Sequence, residues 1–250
     1  MSESDSRPPY DSERLRDLLA QTADHPAKQR EKEWNGIHLM CRVFEANLAD
    51  LVNLLEWASK EENAIEVIQN VRPTPIKDEF FFHLIRHNHN YVAAVGSLID
   101  HTRKFMRDYE DSEFAREYET RKDQLIREGC ANFLKDLRNY MLHKGIPPFT
   151  FNLRVENTPL GQISRSRVLL NTAQLLGWPK WSSGSKGFLG QADSGIDLRE
   201  TVDAYAELVR DLYRWLFEQY EVLHGSDVRS YNQLVTEINL TRGGPVAEPM

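Results

Sequence analysis

Cysteine is nearly missing from this 250-residue chain, which carries only Cys41 and Cys130. Two thiols cannot build a disulfide framework or a cysteine metal knuckle, and each falls on the apolar stripe of an expected helix, where a small buried thiol is the ordinary reading. Long apolar runs are missing too. No stretch approaches the roughly 18 uncharged apolar residues a spanning helix needs, and Met1 to Arg16 mixes charges with Ser and Pro around no apolar leader core. The expectation is a cytoplasmic protein with no membrane partner. Excess positive charge is the third absence: 31 Lys and Arg face 38 Asp and Glu, a formal net charge of -7, which excludes a protein that coats nucleic acid by charge alone. Ser183-Gly184-Ser185-Lys186-Gly187 lacks the residue order of a phosphate-binding loop, and no helix is expected after it. A nucleophile elbow, a dinucleotide fingerprint and an internal repeat are likewise not found.

What is present is amphipathic helix, with 40% hydrophobic residues, enough for a substantial core in one large domain. Residues 1–30 are polar and proline-containing, with a modest helical patch at Leu15 to Leu19, and read as a flexible arm; 31–240 read as a single domain and 241–250 as a flexible tail. Ile37, Met40, Cys41, Phe44, Leu48, Leu51 and Leu55 follow helical spacing to about Lys60. A short patch from Ile65 to Val71 is closed by Pro73 and Pro75. A second long helix is expected from about Ile76 to Asp108, and a third from Ser112, a natural N-cap, to the stop at Gly145, Pro147 and Pro148.

The period then changes to 2. Phe149, Phe151, Leu153 and Val155 alternate with polar residues, Asn157, Pro159 and Gly161 supply a turn, and Gln162 to Leu170 returns as a second strand with Arg165 and Arg167 on one face. Trp178 to Gly190 reads as a Gly/Ser-rich loop, so hairpin and loop form an insert over 149–192. A fourth long helix, Leu198 to His224, turns Val202, Tyr205, Leu208, Val209, Leu212, Leu216 and Tyr220 inward, and a separate short helix covers Val228 to Ile238. The expected fold class is mainly α, an antiparallel helical bundle with an inserted β-hairpin.

Charge is unevenly spread. Between Leu137 and Ala192 stand seven positive residues (Arg138, Lys144, Arg154, Arg165, Arg167, Lys180, Lys186) and one negative, Glu156, a local +6 that leaves -13 for the rest. One positive surface on an acidic body suits a phosphate backbone, although such a cluster also arises as ordinary solvated surface.

The chemically suggestive run is Arg138-Asn139-Tyr140-Met141-Leu142-His143 at the end of the third helix. At about 100° per residue, Phe133, Leu134, Leu137, Tyr140 and Met141 share one side, and Lys135, Asp136, Arg138, Asn139 and His143 the other. Imidazole beside guanidinium suits phosphodiester chemistry: His moves protons near neutral pH, Arg holds the charge that develops on phosphorus, and Asn139 can orient the imidazole or bind a phosphate oxygen. The bland reading of the same residues is a C-terminal turn that complements the helix dipole. Glu79, His83 and His87, with His89 and His101 nearby, could supply metal ligands, but ordinary polar-face histidines explain the spacing, and no metal or cofactor is expected. Asp100 and Arg103 are spaced to pair as a brace. Tyr205, Tyr213, Trp215, Phe217 and Tyr220 read as core and interface rather than as a base-stacking platform.

The segment from Phe133 to Pro147, with Arg138, a polar Asn139 and then His143, resembles the signature of the HEPN superfamily, and Leu98-Ile99-Asp100-His101-Thr102-Arg103 is similar to a segment recurring in bacterial proteins with the same signature. The resemblance spans roughly Ile76 to Pro148. It implies a small helical bundle, commonly a homodimer, acting as a metal-independent endoribonuclease in a toxin or phage-defence system. His143 would transfer protons, Arg138 would stabilise the phosphorane and Asn139 would assist, leaving a 2',3'-cyclic phosphate and a 5'-hydroxyl. Lys135, Lys144, Arg165, Arg167 and Tyr140 would then contact RNA, with Asp100, His101 and Arg103 in support. A lone imidazole poorly serves both oxygens, so a face-to-face dimer through Leu142 is attractive, and an antitoxin or regulatory protein is a further expected partner. The alternative is a non-catalytic HEPN-like module that senses nucleic acid, a nucleotide or a partner protein.

Overall fold

The computed structural model describes residues 12–68, 74–158, 161–192 and 195–242, with backbone only at Ile68, 154–158 and 161–165. Pro73, Pro159, the Arg154 and Arg165 side chains, residues 1–11 of the expected arm and 243–250 of the tail lie outside the described residues. The chain is mainly helical, with a small three-stranded antiparallel sheet. Among the described residues no helix is long and apolar enough to cross a membrane.

The helices are α1 (Ser12–Ala23), α2 (Ala27–Ser59), α3 (Glu61–Ile68), α4 (Pro75–Met106), α5 (Glu113–Arg127), α6 (Cys130–His143), α7 (Thr172–Leu176), α8 (Ser183–Gly190) and α9 (Leu198–Thr241). Strands β1 (Phe149–Thr158), β2 (Gly161–Leu170) and β3 (Ile196–Asp197) pair in that order. Helix starts follow side-chain caps. Thr74 Oγ1 accepts from Lys77 N at 3.2 Å ahead of Pro75, and Ser112 Oγ accepts from Ala115 N at 3.0 Å.

Contacts divide the chain into two compact units, 1–36 with 216–250 and 37–215, and α2 and α9 contribute to both. In the first, Leu15 and Leu18 of α1 form an apolar cluster with Ile238, and Trp34 stacks on Tyr220 at 3.8 Å. In the second, Phe44, Leu48 and Leu51 of α2, Leu84, Tyr91 and Val95 of α4, Phe133, Leu134 and Leu137 of α6, and Val202, Tyr205 and Val209 of α9 are all buried. The hairpin forms in the expected place, Phe149 opposite Leu170, and Phe151 packs edge-on to Phe80 and Phe81 of α4.

Three expectations are corrected. The third long helix is two, because Gly129 sits at φ 71 and a Cβ there would meet the Phe188 ring at 3.1 Å. The Gly/Ser loop contains a helix, α8, capped by Ser182, whose Oγ accepts from Ser185 N at 3.3 Å. The fourth helix does not stop at His224: α9 continues through Gly225 to Thr241. One glycine costs a helix about 1 kcal/mol, little against packing on both sides of it, and Arg30 Nη1 lies 2.9 Å from His224 Nδ1 and 3.0 Å from Asp227 Oδ2 across this stretch.

On α4, Glu79 Oε1 is 2.8 Å from His83 Nε2, and Arg86 Nη2 reaches His83 Nδ1 at 2.9 Å and His87 Nε2 at 3.0 Å. A guanidinium wedged between the imidazoles takes the lone pairs a metal would need. Among the described residues no group of three or more His, Cys, Asp or Glu is placed to hold a metal. Burial first, and then Arg86, lowers the His87 pKa below its ordinary 6.5. With the folded value below the unfolded one, the unfolded chain takes up the proton first as pH falls, so this stabilisation is full above 6.5 and is lost below it. The melting temperature of the protein should drop between pH 7.5 and about 5.5, and His87→Gln should flatten that drop; an equally steep drop in the variant would contradict the assignment.

Candidate functional site

The motif helix α6 is held on two sides. Toward α4, Asn88 Nδ2 donates to Met141 Sδ at 3.3 Å. Away from α4, the Tyr140 ring stacks on Trp181 at 5.6 Å and 13°, Phe133 stacks on Trp181 at 5.7 Å, and Trp178 meets Tyr140 edge-on at 5.4 Å. Trp181 is fixed in turn by Nε1 donating to Leu175 O at 2.6 Å. The Trp/Gly/Ser insert is therefore the wall against which α6 rests.

Asp136 completes that wall. Placed among the polar residues by the helical wheel, it is instead buried, and its Oδ2 accepts from Ser182 N at 2.9 Å and Ser185 Oγ at 2.7 Å. The carboxylate thus fills the N-terminal end of α8, the position an external anion would need to occupy. Gly184 lies so close that a Cβ would stand 2.5 Å from Asn132 Nδ2.

What remains uncovered on α6 is a strip of Lys135, Asn139, Leu142 and His143, bordered by Arg138. Lys135 and His143 are exposed, Asn139 is half-buried, and Leu142 is 55% exposed, with Ile146 at 62% just beyond the helix. Lys144, exposed as well, caps the helix by donating its N–H to Tyr140 O at 2.7 Å. Arg138 is half-buried at the α4 edge: a Cβ on Gly96 would lie 2.9 Å from Arg138 Cδ and Nε and 3.3 Å from Cζ. The glycine vacates the volume that the guanidinium stem fills. Among the described residues no carboxylate pairs with Arg138.

Several expected contact residues stand elsewhere. Tyr140 is buried against Trp181 and does not reach the strip. Arg167 is engaged by Glu200 Oε1 at 3.1 Å and Asp197 Oδ2 at 3.5 Å, so its charge is already compensated. Asp100 and Arg103 pair at 3.1 Å within α4 as the spacing suggested, and His101 is exposed. Of the aromatic residues of α9, Tyr205, Tyr213, Trp215 and Tyr220 are buried and Phe217 is half-buried. Sequence reading missed Gly96, whose only signal was a lone glycine inside an amphipathic helix, a position that usually has a packing reason. It also missed Trp178 and Trp181, which carried no periodic signal.

No protein-family model, curated protein or solved structure matches the chain.

Proposed function

We propose that the protein is a metal-independent endoribonuclease of the HEPN type, with Arg138, Asn139 and His143 acting on a phosphodiester laid along the exposed strip of α6. The observation that carries this reading is the Arg138 side chain seated over Gly96 without a carboxylate partner, on the edge of the strip that ends in an exposed His143. In the proposed reaction the 2'-oxygen of RNA bonds to the adjacent phosphorus as its proton is removed, and the bond from phosphorus to the 5'-oxygen breaks as that oxygen gains a proton. His143 transfers protons, Arg138 compensates the charge on the phosphorane and Asn139 orients one or the other. A second copy facing the first through Leu142 and Ile146, both apolar and exposed, would supply another imidazole for the second proton. Lys135 and Lys144, exposed at the two ends of the strip, extend the contact to neighbouring phosphates. Unrestrained RNA cleavage harms a host, which fits a toxin or phage-defence role held in check by a partner.

The test is incubation of purified protein with total RNA in excess chelator. Chelator-resistant fragmentation supports the reading; intact RNA over a wide range of protein concentration removes it and leaves a binding module.

Gly96 offers a finer test. Alanine there should leave stability unchanged or raise it by up to about 1 kcal/mol, since glycine is a poor helix former. The added methyl must displace the Arg138 guanidinium, and misplacement by about 1 Å can cost up to about 100-fold in rate. A Gly96→Ala protein that melts as high as wild type yet cleaves at least tenfold more slowly is the expected outcome; full activity would show that the seat of Arg138 does not matter.

A further inference from the structure

Helix α5 is thinly anchored. Of its 15 residues only Phe114 and Tyr118 are buried, and it stands between two left-handed residues, Asp111 and Gly129, each at φ 71. A cavity of about 1020 Å³ runs beside it, among α4, α5, α6 and α9. Leu98, Met106, Tyr118, Tyr205 and Val209 form its buried wall. On α5 the lining extends from Ala115 to Ile126, about 16 Å along the helix axis. Leu125 and Ile126, at the far end, line the cavity as well, yet Leu125 is only half-buried and Ile126 is 37% exposed. Apolar surface is left there with nothing apolar to cover it.

Charge of both signs gathers at the Ala115 end. Arg107, Glu110, Asp111 and Arg116 are all exposed at the cavity mouth, and none forms an ion pair among the described residues. Of the other cations in the lining, Arg103 is held by Asp100 and Lys122 by Glu119, while Lys135 is shared with the strip of α6. The volume lies at the upper end of the roughly 300–1,000 Å³ range of small-molecule sites. A long slot walled by aliphatic and aromatic side chains asks for an extended apolar chain. Two arginines ask for an anionic oxygen group, and two carboxylates beside them ask for a cation. A fatty acid would bring its carboxylate against Glu110 and Asp111, and an alkylamine its ammonium against the arginines. An amphiphile with both charges at one end of a single chain avoids both conflicts.

We propose that this cavity binds a single-chain zwitterionic amphiphile, of the kind a lysophospholipid represents. Its chain lies along α5 toward Leu125 and Ile126, and its head is held by Arg107 and Arg116 on the anionic group and by Glu110 and Asp111 on the ammonium. Arg138, Asn139 and His143 do not line the cavity, so the site requires no cleavage and stands independently of the nuclease reading.

The experiment is calorimetric titration of the full chain with dodecylphosphocholine below its micellar concentration, alongside dodecyl phosphate, dodecyltrimethylammonium and phosphocholine. The zwitterion should bind saturably, about tenfold or more tighter than any of the other three. Shortening its chain from dodecyl to decyl should weaken binding about tenfold, the worth of two buried methylenes. Ala115→Phe, which projects a ring into the cavity from the first turn of α5, should weaken it about tenfold or more. Glu110→Gln with Asp111→Asn should abolish the preference for the zwitterion over dodecyl phosphate, and Arg107→Gln with Arg116→Gln should abolish the preference over dodecyltrimethylammonium. These four side chains are exposed and test the site should the phenylalanine variant misfold. Any of four results overturns the proposal: no saturable binding, a singly charged amphiphile bound as tightly as the zwitterion by the wild-type chain, preferences unchanged in both double variants, or co-sedimentation with phosphatidylcholine vesicles, which would make a bilayer rather than a single amphiphile the ligand.

Discussion

His143→Ala is expected to lower chelator-resistant RNA cleavage by about 10²- to 10⁴-fold, the worth of a positioned general acid or base, while leaving the melting temperature close to that of wild type. The imidazole is exposed at the last residue of α6, so its loss opens no cavity. Arg138→Ala should lower cleavage by about 10²- to 10³-fold through loss of charge stabilisation at phosphorus, with a small additional cost in stability because its stem packs over Gly96. Arg138→Lys should not rescue it: a point charge on a flexible chain cannot reproduce the planar fork that grips two phosphate oxygens. Initial rates on a defined single-stranded RNA, with melting curves of each variant, separate catalysis from folding. Loss of rate that tracks loss of melting temperature would mean the two residues are merely structural.

The largest effect on stability is expected at Trp181. It is 3% exposed, stacks on Phe133 and Tyr140, meets Trp178 edge-on at 5.0 Å and donates to Leu175 O. Truncation to alanine removes all of these at once and leaves a cavity the size of an indole, for a cost of about 3–5 kcal/mol. Tyr140 would lose the ring stacked on its face, so the motif helix would lose its wall as well. Denaturant unfolding of Trp181→Ala should show that loss, and cleavage should fall with it even at temperatures where the variant is folded. A change below about 1 kcal/mol would mean that the insert does not support α6.

Much of the helical frame could be read from spacing and caps. Thr74-Pro75 and Ser112 mark helix starts by local chemistry, and the alternation from Phe149 onward announces the hairpin. These signals lie within a few residues of what they specify. What escaped depends on contacts between distant residues. Gly129 interrupts the helix at φ 71, where a Cβ would meet the Phe188 ring, and Asp136 is covered by Ser182 and Ser185, which donate to its carboxylate. A helical wheel says which residues share a side; it does not say what covers that side. The two-residue strand β3 is too short for any periodicity and is defined only by its pairing with Leu169 and Leu170. Of the candidate site, the sequence places Arg138, Asn139 and His143 on one helix, whereas the seat at Gly96 and the engagement of Arg167 by Asp197 and Glu200 are visible only in three dimensions.

The most direct measurement concerns the ends that cleavage leaves. Mass spectrometry of a short oligoribonucleotide incubated with the protein in excess EDTA should show a 2',3'-cyclic phosphate on one fragment and a 5'-hydroxyl on the other, with no product when the attacked 2'-hydroxyl is replaced by hydrogen. Fragments ending in 5'-phosphate and 3'-hydroxyl, or cleavage of the 2'-deoxy substrate, would contradict attack by the ribose and with it the role given to Arg138 and His143.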